Sequence, residues 1–170
     1  MIHTLSIALL PVLMITAAVS DLASFRIPNW LTLATAAFFF PMAWLTGMPL
    51  AEFGWHLLAG LILFVAGFTL FSFGLFGGGD AKLMAAAGLW FGTSQTLPFL
   101  VATVLAGGGL AAAVALWSLF MAIFEIHGPG DESRIGQAAR KIRPKLPYGF
   151  ALAVGAIVAF PQTWWVTGVS

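Results

Sequence analysis

The chain has no cysteine and very little charge. Without cysteine there is no disulfide, no thiolate nucleophile and no cysteine-ligated zinc. Charged residues occupy 8% of the 170 positions, against about 25% in a soluble domain. That scarcity excludes a water-soluble fold, and no nucleic-acid partner is expected. Histidine is sparse too. His3, His56 and His127 are too scattered to ligate one metal, so neither metal nor cofactor is expected. Tyrosine occurs once, as Tyr148.

Apolar bulk is what the chain has. Hydrophobic residues make up 61% of it, with 16 Phe and 7 Trp. A membrane-crossing helix needs about 20 apolar residues. Apolar runs cover about 3–20, 30–47, 54–76, 81–95, 97–124 and 148–167. The expectation is an all-α polytopic membrane bundle of six transmembrane helices, forming a single domain over 1–170. The first run is read as a retained helix rather than a signal peptide, because no Lys or Arg precedes it. The fourth run rises only about 22 Å as a helix, short of a hydrocarbon core of about 30 Å.

The basic residues argue that this run crosses nonetheless. All seven are Arg26, Lys82, Arg134, Arg140, Lys141, Arg143 and Lys145. With six spans they all fall on one side, as the positive-inside rule demands. That places the charged loop 125–147 in the cytoplasm, where it can meet anionic lipid headgroups. Both termini then lie outside.

Against this background two carboxylates stand out, Asp21 after the first run and Asp80 after Gly77-Gly78-Gly79. Ionisable groups beside membrane helices are costly and mark functional sites by default. The six-span arrangement puts both at the cytoplasmic face, where two carboxyls can share acid and base roles on water. Asp80 is also well placed to be the N-cap of the next helix. The bare backbone of Gly77, Gly78 and Gly79 would let an extended peptide pair with it. Arg26-Ile27-Pro28-Asn29 reads as a stop and turn, with Asn29 able to cap the second helix. Pro147-Tyr148-Gly149 opens the last one. Gly107-Gly108-Gly109 and nearby alanines suit close helix packing.

Three ordered motifs resemble those of the type IV prepilin peptidases, membrane aspartic proteases of the Gly-x-Gly-Asp class. They are Asp21 with Arg26 to Asn29, Gly77 to Lys82, and Pro147 to Gly149. The resemblance covers nearly the whole chain. It implies that Asp21 and Asp80 are catalytic, one ionised as general base on water and the other protonated against the scissile carbonyl. It implies that Gly77, Gly78, Gly79, Lys82, Pro147, Tyr148 and Gly149 meet substrate. The substrate would be a type IV prepilin, losing its short basic leader at the cytoplasmic face of the bacterial inner membrane. Larger relatives carry a cysteine-rich insertion after the first helix and methylate the new N-terminus. Its absence here resembles the small branch serving Flp, or tight-adherence, pili, and implies no methyltransferase activity. A preflagellin-type or presenilin-like protease is the neighbouring alternative. Ser20 before Asp21, and the lack of Pro-Ala-Leu, count against the presenilin-like form. A non-enzymatic transporter or assembly subunit would instead hold its acids at mid-membrane depth.

Overall fold

A computed structural model describes residues 2–126 and 147–168. All regular structure among them is helical. The elements are α1 (Ile2–Ser24), α2 (Asn29–Leu45) and α3 (Leu50–Ser72), followed by a helical run Gly78–Ile126 broken at Gly92. We call its limbs α4 (78–91) and α5 (93–126). Then come α6 (Tyr148–Ala159), a 3-10 turn (Phe160–Gln162) and α7 (Trp164–Thr167). The polar loop expected at 125–147 falls almost wholly outside the described residues, with its five basic side chains.

The break at Gly92 is sharp. Its backbone sits at φ 60°, ψ 177°, a region open essentially to glycine alone. The chain doubles back there. Phe91 and Phe99 stack with centroids 4.5 Å apart, whereas eight residues of unbroken helix would separate them by about 12 Å. The fourth and fifth apolar runs are therefore distinct antiparallel limbs, as the sequence suggests. Their boundaries move: α4 begins at Gly78 and ends before Gly92, not at 81 and 95.

Glycine contacts set the directions of the other helices. Gly60 faces Leu89 and Ala85, while Gly67 faces Ala81 and Met84, so α3 runs antiparallel to α4. Gly107 meets Ala151 and Gly155 meets Thr103, so α5 and α6 are antiparallel as well. Lys82 bonds Asn29 and Trp90 bonds Thr35, which sets α2 alongside α4. The core centres on α4, where Ala81, Leu83, Met84, Ala87, Trp90 and Phe91 are all buried. Small residues at these crossings let the backbones close in.

Other boundaries also shift. The third helix starts at Leu50, after an extended Pro49, and stops at Ser72. Gly74, at φ 70°, ends it before the glycine run is reached. The last run breaks at Phe160–Gln162, where Pro161 has no N–H to continue a helix. The helical segments Thr4–Ser24, Leu50–Ser72, Gly78–Met121 (which takes in both limbs of the hairpin) and Tyr148–Thr167 (which includes the 3-10 turn) are long and apolar enough to cross a membrane; Asn29–Leu45 is apolar but shorter. This is an integral membrane protein.

Candidate active site

The buried stripe of α1 runs Leu10, Leu13, Met14, Ala17, Ala18 and reaches Asp21. A helix repeat of 3.6 residues carries that face straight to the carboxylate. Asp21 is 5% exposed. A carboxylate so deep needs donors, and α6 supplies them. The Gly149 backbone N–H donates to Asp21 Oδ2 at 2.7 Å, and the Phe150 N–H also reaches the carboxylate. Both lie in the first turn of α6, where backbone donors have no partner within the helix and the dipole end is positive.

The turn after α1 brings in the second motif. The Phe25 N–H donates to the Asp21 carbonyl at 2.7 Å, and Phe25 adopts φ 51°. Ser20 Oγ and Ser24 Oγ both donate to the Arg26 carbonyl, at 2.9 and 3.3 Å. This clamp turns Ile27 inward, where it is buried, while Arg26 stays exposed. Ile27 is the wedge of the site. A Cβ on Gly79 would meet its Cβ at 3.2 Å, and a Cβ on Gly149 would meet its Cδ1 at 2.7 Å. Both glycines are thus required for close approach, one from each of the other two motifs.

Asp80 sits on the first turn of α4, half-buried. It is not the N-cap. Gly77 takes that position, and the Asp80 carboxylate accepts the Gly77 N–H from three residues on. This is the reaching-back half of a capping box. Nor do the glycines form an extended edge: Gly78 and Gly79 are already helical, and Gly78 lies against the Phe71 ring. The Asp80 carboxyl is close enough to Asp21 to feel its charge. One buried and one half-buried acid at the same end of the bundle are within electrostatic reach of each other, which is the arrangement for a shared proton.

The remaining residues singled out from the sequence divide. Tyr148 packs its ring on Phe76, centroids 5.1 Å apart, just ahead of the glycine run. Pro147 is the extended residue that starts α6. Lys82 points the other way, exposed, its Nζ donating to Asn29 Oδ1 at 3.0 Å. Asn29 does not cap α2 with its side chain; that position belongs to Pro28. Phe76 and the Phe150 N–H carry no sequence signal of their own; Ile27 is marked only as part of the Arg26–Asn29 turn, and the two glycines facing it are the hint that it packs inward. His56 lies at the opposite end, beside Gly92. Among the described residues no three His, Cys, Asp or Glu side chains cluster as metal ligands.

A family model described as the type IV leader peptidase family matches residues 8–123. Comparisons with curated proteins and with solved structures returned no match. The matched span is more than half the chain and contains Asp21, Ile27, the glycine run and Asp80. The α6 donors lie beyond it yet complete the same site. By sequence and by the convergence of its motifs, this chain belongs to the type IV leader peptidase family.

Proposed function

We propose that the protein is an aspartic endopeptidase that removes the leader of a type IV prepilin, of the Flp kind, at the cytoplasmic membrane face. The observation that carries this reading is the bond from the Gly149 N–H to Asp21 Oδ2, with Ile27 wedged against Gly79 and Gly149. It joins all three motifs around two mutually interacting carboxyls. In the reaction, the ionised carboxylate takes a proton from water. The resulting hydroxide oxygen attacks the scissile carbonyl carbon, and the protonated carboxyl hydrogen-bonds the carbonyl oxygen. Collapse breaks the C–N bond, and a carboxyl proton goes to the departing amine. The backbone donors on Asp21 hold its orientation, so geometry is set before substrate arrives.

Arg26 and Lys82 lie at the aspartate end, which supports a cytoplasmic orientation under the positive-inside rule. Six crossings, with both termini outside, follow from the same rule and agree with the alternating helix directions. Acids gathered at one end suit a protease reading a leader outside the bilayer better than a mid-membrane relay.

The test is cleavage by the purified protein in detergent, with a type IV prepilin as substrate and products weighed by mass spectrometry. The expected result is a single cut at the leader boundary, with no methyl group added when S-adenosylmethionine is supplied. An intact prepilin, beside a folded enzyme, would overturn the peptidase reading. Methylated product would remove the assignment to the small branch.

A further inference from the structure

Ser20 behaves unlike the other helix hydroxyls. Thr16, Thr69, Ser72 and Ser118 each donate to the carbonyl four residues earlier in their own helix, the usual partner for a hydroxyl within a helix. Ser20 instead reaches forward six residues, past the end of α1, and donates to the Arg26 carbonyl at 2.9 Å. Ser24 divides its contacts, with the Ser20 carbonyl at 2.8 Å and the Arg26 carbonyl farther off at 3.3 Å. Ser20 is therefore the main restraint on the Arg26 carbonyl. The turn it closes contains Phe25 at φ 51°, a backbone region that phenylalanine rarely adopts. Such strain persists only where surrounding contacts over-determine it, and it gathers at functional sites.

What the Ser20 bond fixes is a peptide plane. The Arg26 carbonyl and the Ile27 N–H belong to one planar unit, so holding the oxygen sets the direction in which Ile27 leaves the turn. Ile27 then touches both other parts of the site. Toward α4, a Cβ on Gly79 would meet the Ile27 carbonyl oxygen at 3.4 Å and its nitrogen at 3.6 Å. Gly79 and Asp80 are successive residues of one helical turn, so a shift of the first moves the second. Toward α6, Ile27 Cδ1 and Asp21 Oδ2 crowd the same face of Gly149, whose N–H donates to that oxygen. Asp21 itself follows Ser20 directly in α1. One turn of α1 thus carries a carboxylate and the hydroxyl that seats the spacer between it and the other.

We infer that Ser20 is a positioning residue for the carboxylate pair: its hydroxyl locks the Arg26–Ile27 peptide, and Ile27, seated between Gly79 and Gly149, sets the separation of Asp21 and Asp80. The assignment rests on the peptidase reading for the reaction that this separation serves. Ser20 acts through Ile27 and needs no contact with substrate.

The test compares full-length Ser20→Ala, Ser20→Thr and Ser72→Ala with the parent in detergent, using a type IV prepilin as substrate. Folded fraction and thermal midpoint are measured beside kcat, KM and the pH dependence of kcat. Ser72→Ala removes a hydroxyl bonded only within α3 and should match the parent. Ser20→Ala should lower kcat per folded enzyme about tenfold, part of the loss on the order of 100-fold that a displacement of about 1 Å brings. KM should stay close to the parent's, since no substrate contact is removed. The width of the bell of kcat against pH should change, because the two proton steps depend on how strongly the carboxyls repel each other. Ser20→Thr keeps the hydroxyl and should recover most of the rate. Ile27→Val trims only the Cδ1 that faces Gly149 and reports on the same path should Ser20→Ala fail to fold; its bell should change too. A parent-like kcat and bell in Ser20→Ala, or a parent-like bell in Ile27→Val, would overturn the positioning role and leave the peptidase. A raised KM at unchanged kcat would put Ser20 in substrate binding and also overturn it. A folded parent that leaves the prepilin intact would sink the peptidase reading and the positioning role together.

Discussion

Gly149 is the residue on which the geometry of the site turns most visibly. It has no side chain, and the space a Cβ would need is taken by Asp21 Oδ2 at 2.9 Å, Asp21 Cβ at 3.0 Å and Ile27 Cδ1 at 2.7 Å. Gly149→Ala must push α6 away from the carboxylate it donates to. A displacement of about 1 Å in a catalytic group costs on the order of 100-fold in rate, so kcat for prepilin cleavage should fall by about that much. Tyr148→Phe keeps the ring contact with Phe76 and should cleave within about threefold of the parent, a difference below about 1 kcal/mol. Measuring kcat for both separates the role of the backbone from that of the phenol. Ile27→Ala empties the wedge between Gly79 and Gly149. It should cost about 2–5 kcal/mol, the usual range for a buried aliphatic truncation, read as a lowered thermal midpoint in detergent. Asp21 and Asp80 were legible in the sequence because charge is so rare there. Ile27 was legible only as a member of the Arg26–Asn29 turn; its packing between Gly79 and Gly149 was not, because one isoleucine among so many apolar residues carries no contrast.

At the scale of elements, the hairpin of α4 and α5 holds the most specific instructions. Ending α4 at Gly92 leaves its last carbonyls without helical partners. Side chains from other elements take them over. The His56 ring Nδ1 lies 2.6 Å from the Leu89 carbonyl, and since that oxygen only accepts, Nδ1 carries the proton. Trp165 Nε1–H donates to the Trp90 carbonyl at 2.7 Å, and Trp90 Nε1–H passes on to the Thr35 carbonyl at 2.8 Å. One histidine from α3 and one tryptophan from α7 thus terminate α4. His56→Leu or Trp165→Phe leaves a buried carbonyl unpaired, a loss of about 1–3 kcal/mol. Each should lower the thermal midpoint while leaving the cleavage rate at low temperature nearly intact, because the hairpin lies at the end far from Asp80. Gly92→Ala should be worse. It forces a Cβ to 3.0 Å from His56 Nε2 at a backbone angle alanine avoids. The sequence showed two apolar runs here but placed their junction late, at 95–97. Gly92 is a single glycine among many, and its unusual backbone shows only in three dimensions.

For the whole molecule, the alternation of helix directions was readable from seven basic residues and six apolar runs, while the lateral arrangement was not. In lipid the outward residues are as apolar as the core: Val12, Ile15 and Val19 face out, and Leu13, Met14 and Ala18 face in. With no amphipathic contrast, nothing in α1 says which face meets α6. The orientation itself is testable with single cysteines. Phe73→Cys lies at the aspartate end and Leu50→Cys at the other, and both positions are highly exposed, at 76% and 85%. An impermeant thiol reagent should label Phe73→Cys only from the cytoplasmic side and Leu50→Cys only from outside. The reverse pattern would invert the topology.

In the proposed reaction Asp21 and Asp80 work as a pair on one peptide bond. Its most direct test is prepilin processing in membranes by the unsubstituted protein, Asp21→Asn and Asp80→Asn at matched protein levels, scored by the mobility shift of the shortened pilin. Processing is expected from the parent and from neither variant, since an amide can neither take the proton from water nor give one up. Full processing by either variant would contradict it, and would leave Asp80 as no more than the side chain that caps Gly77.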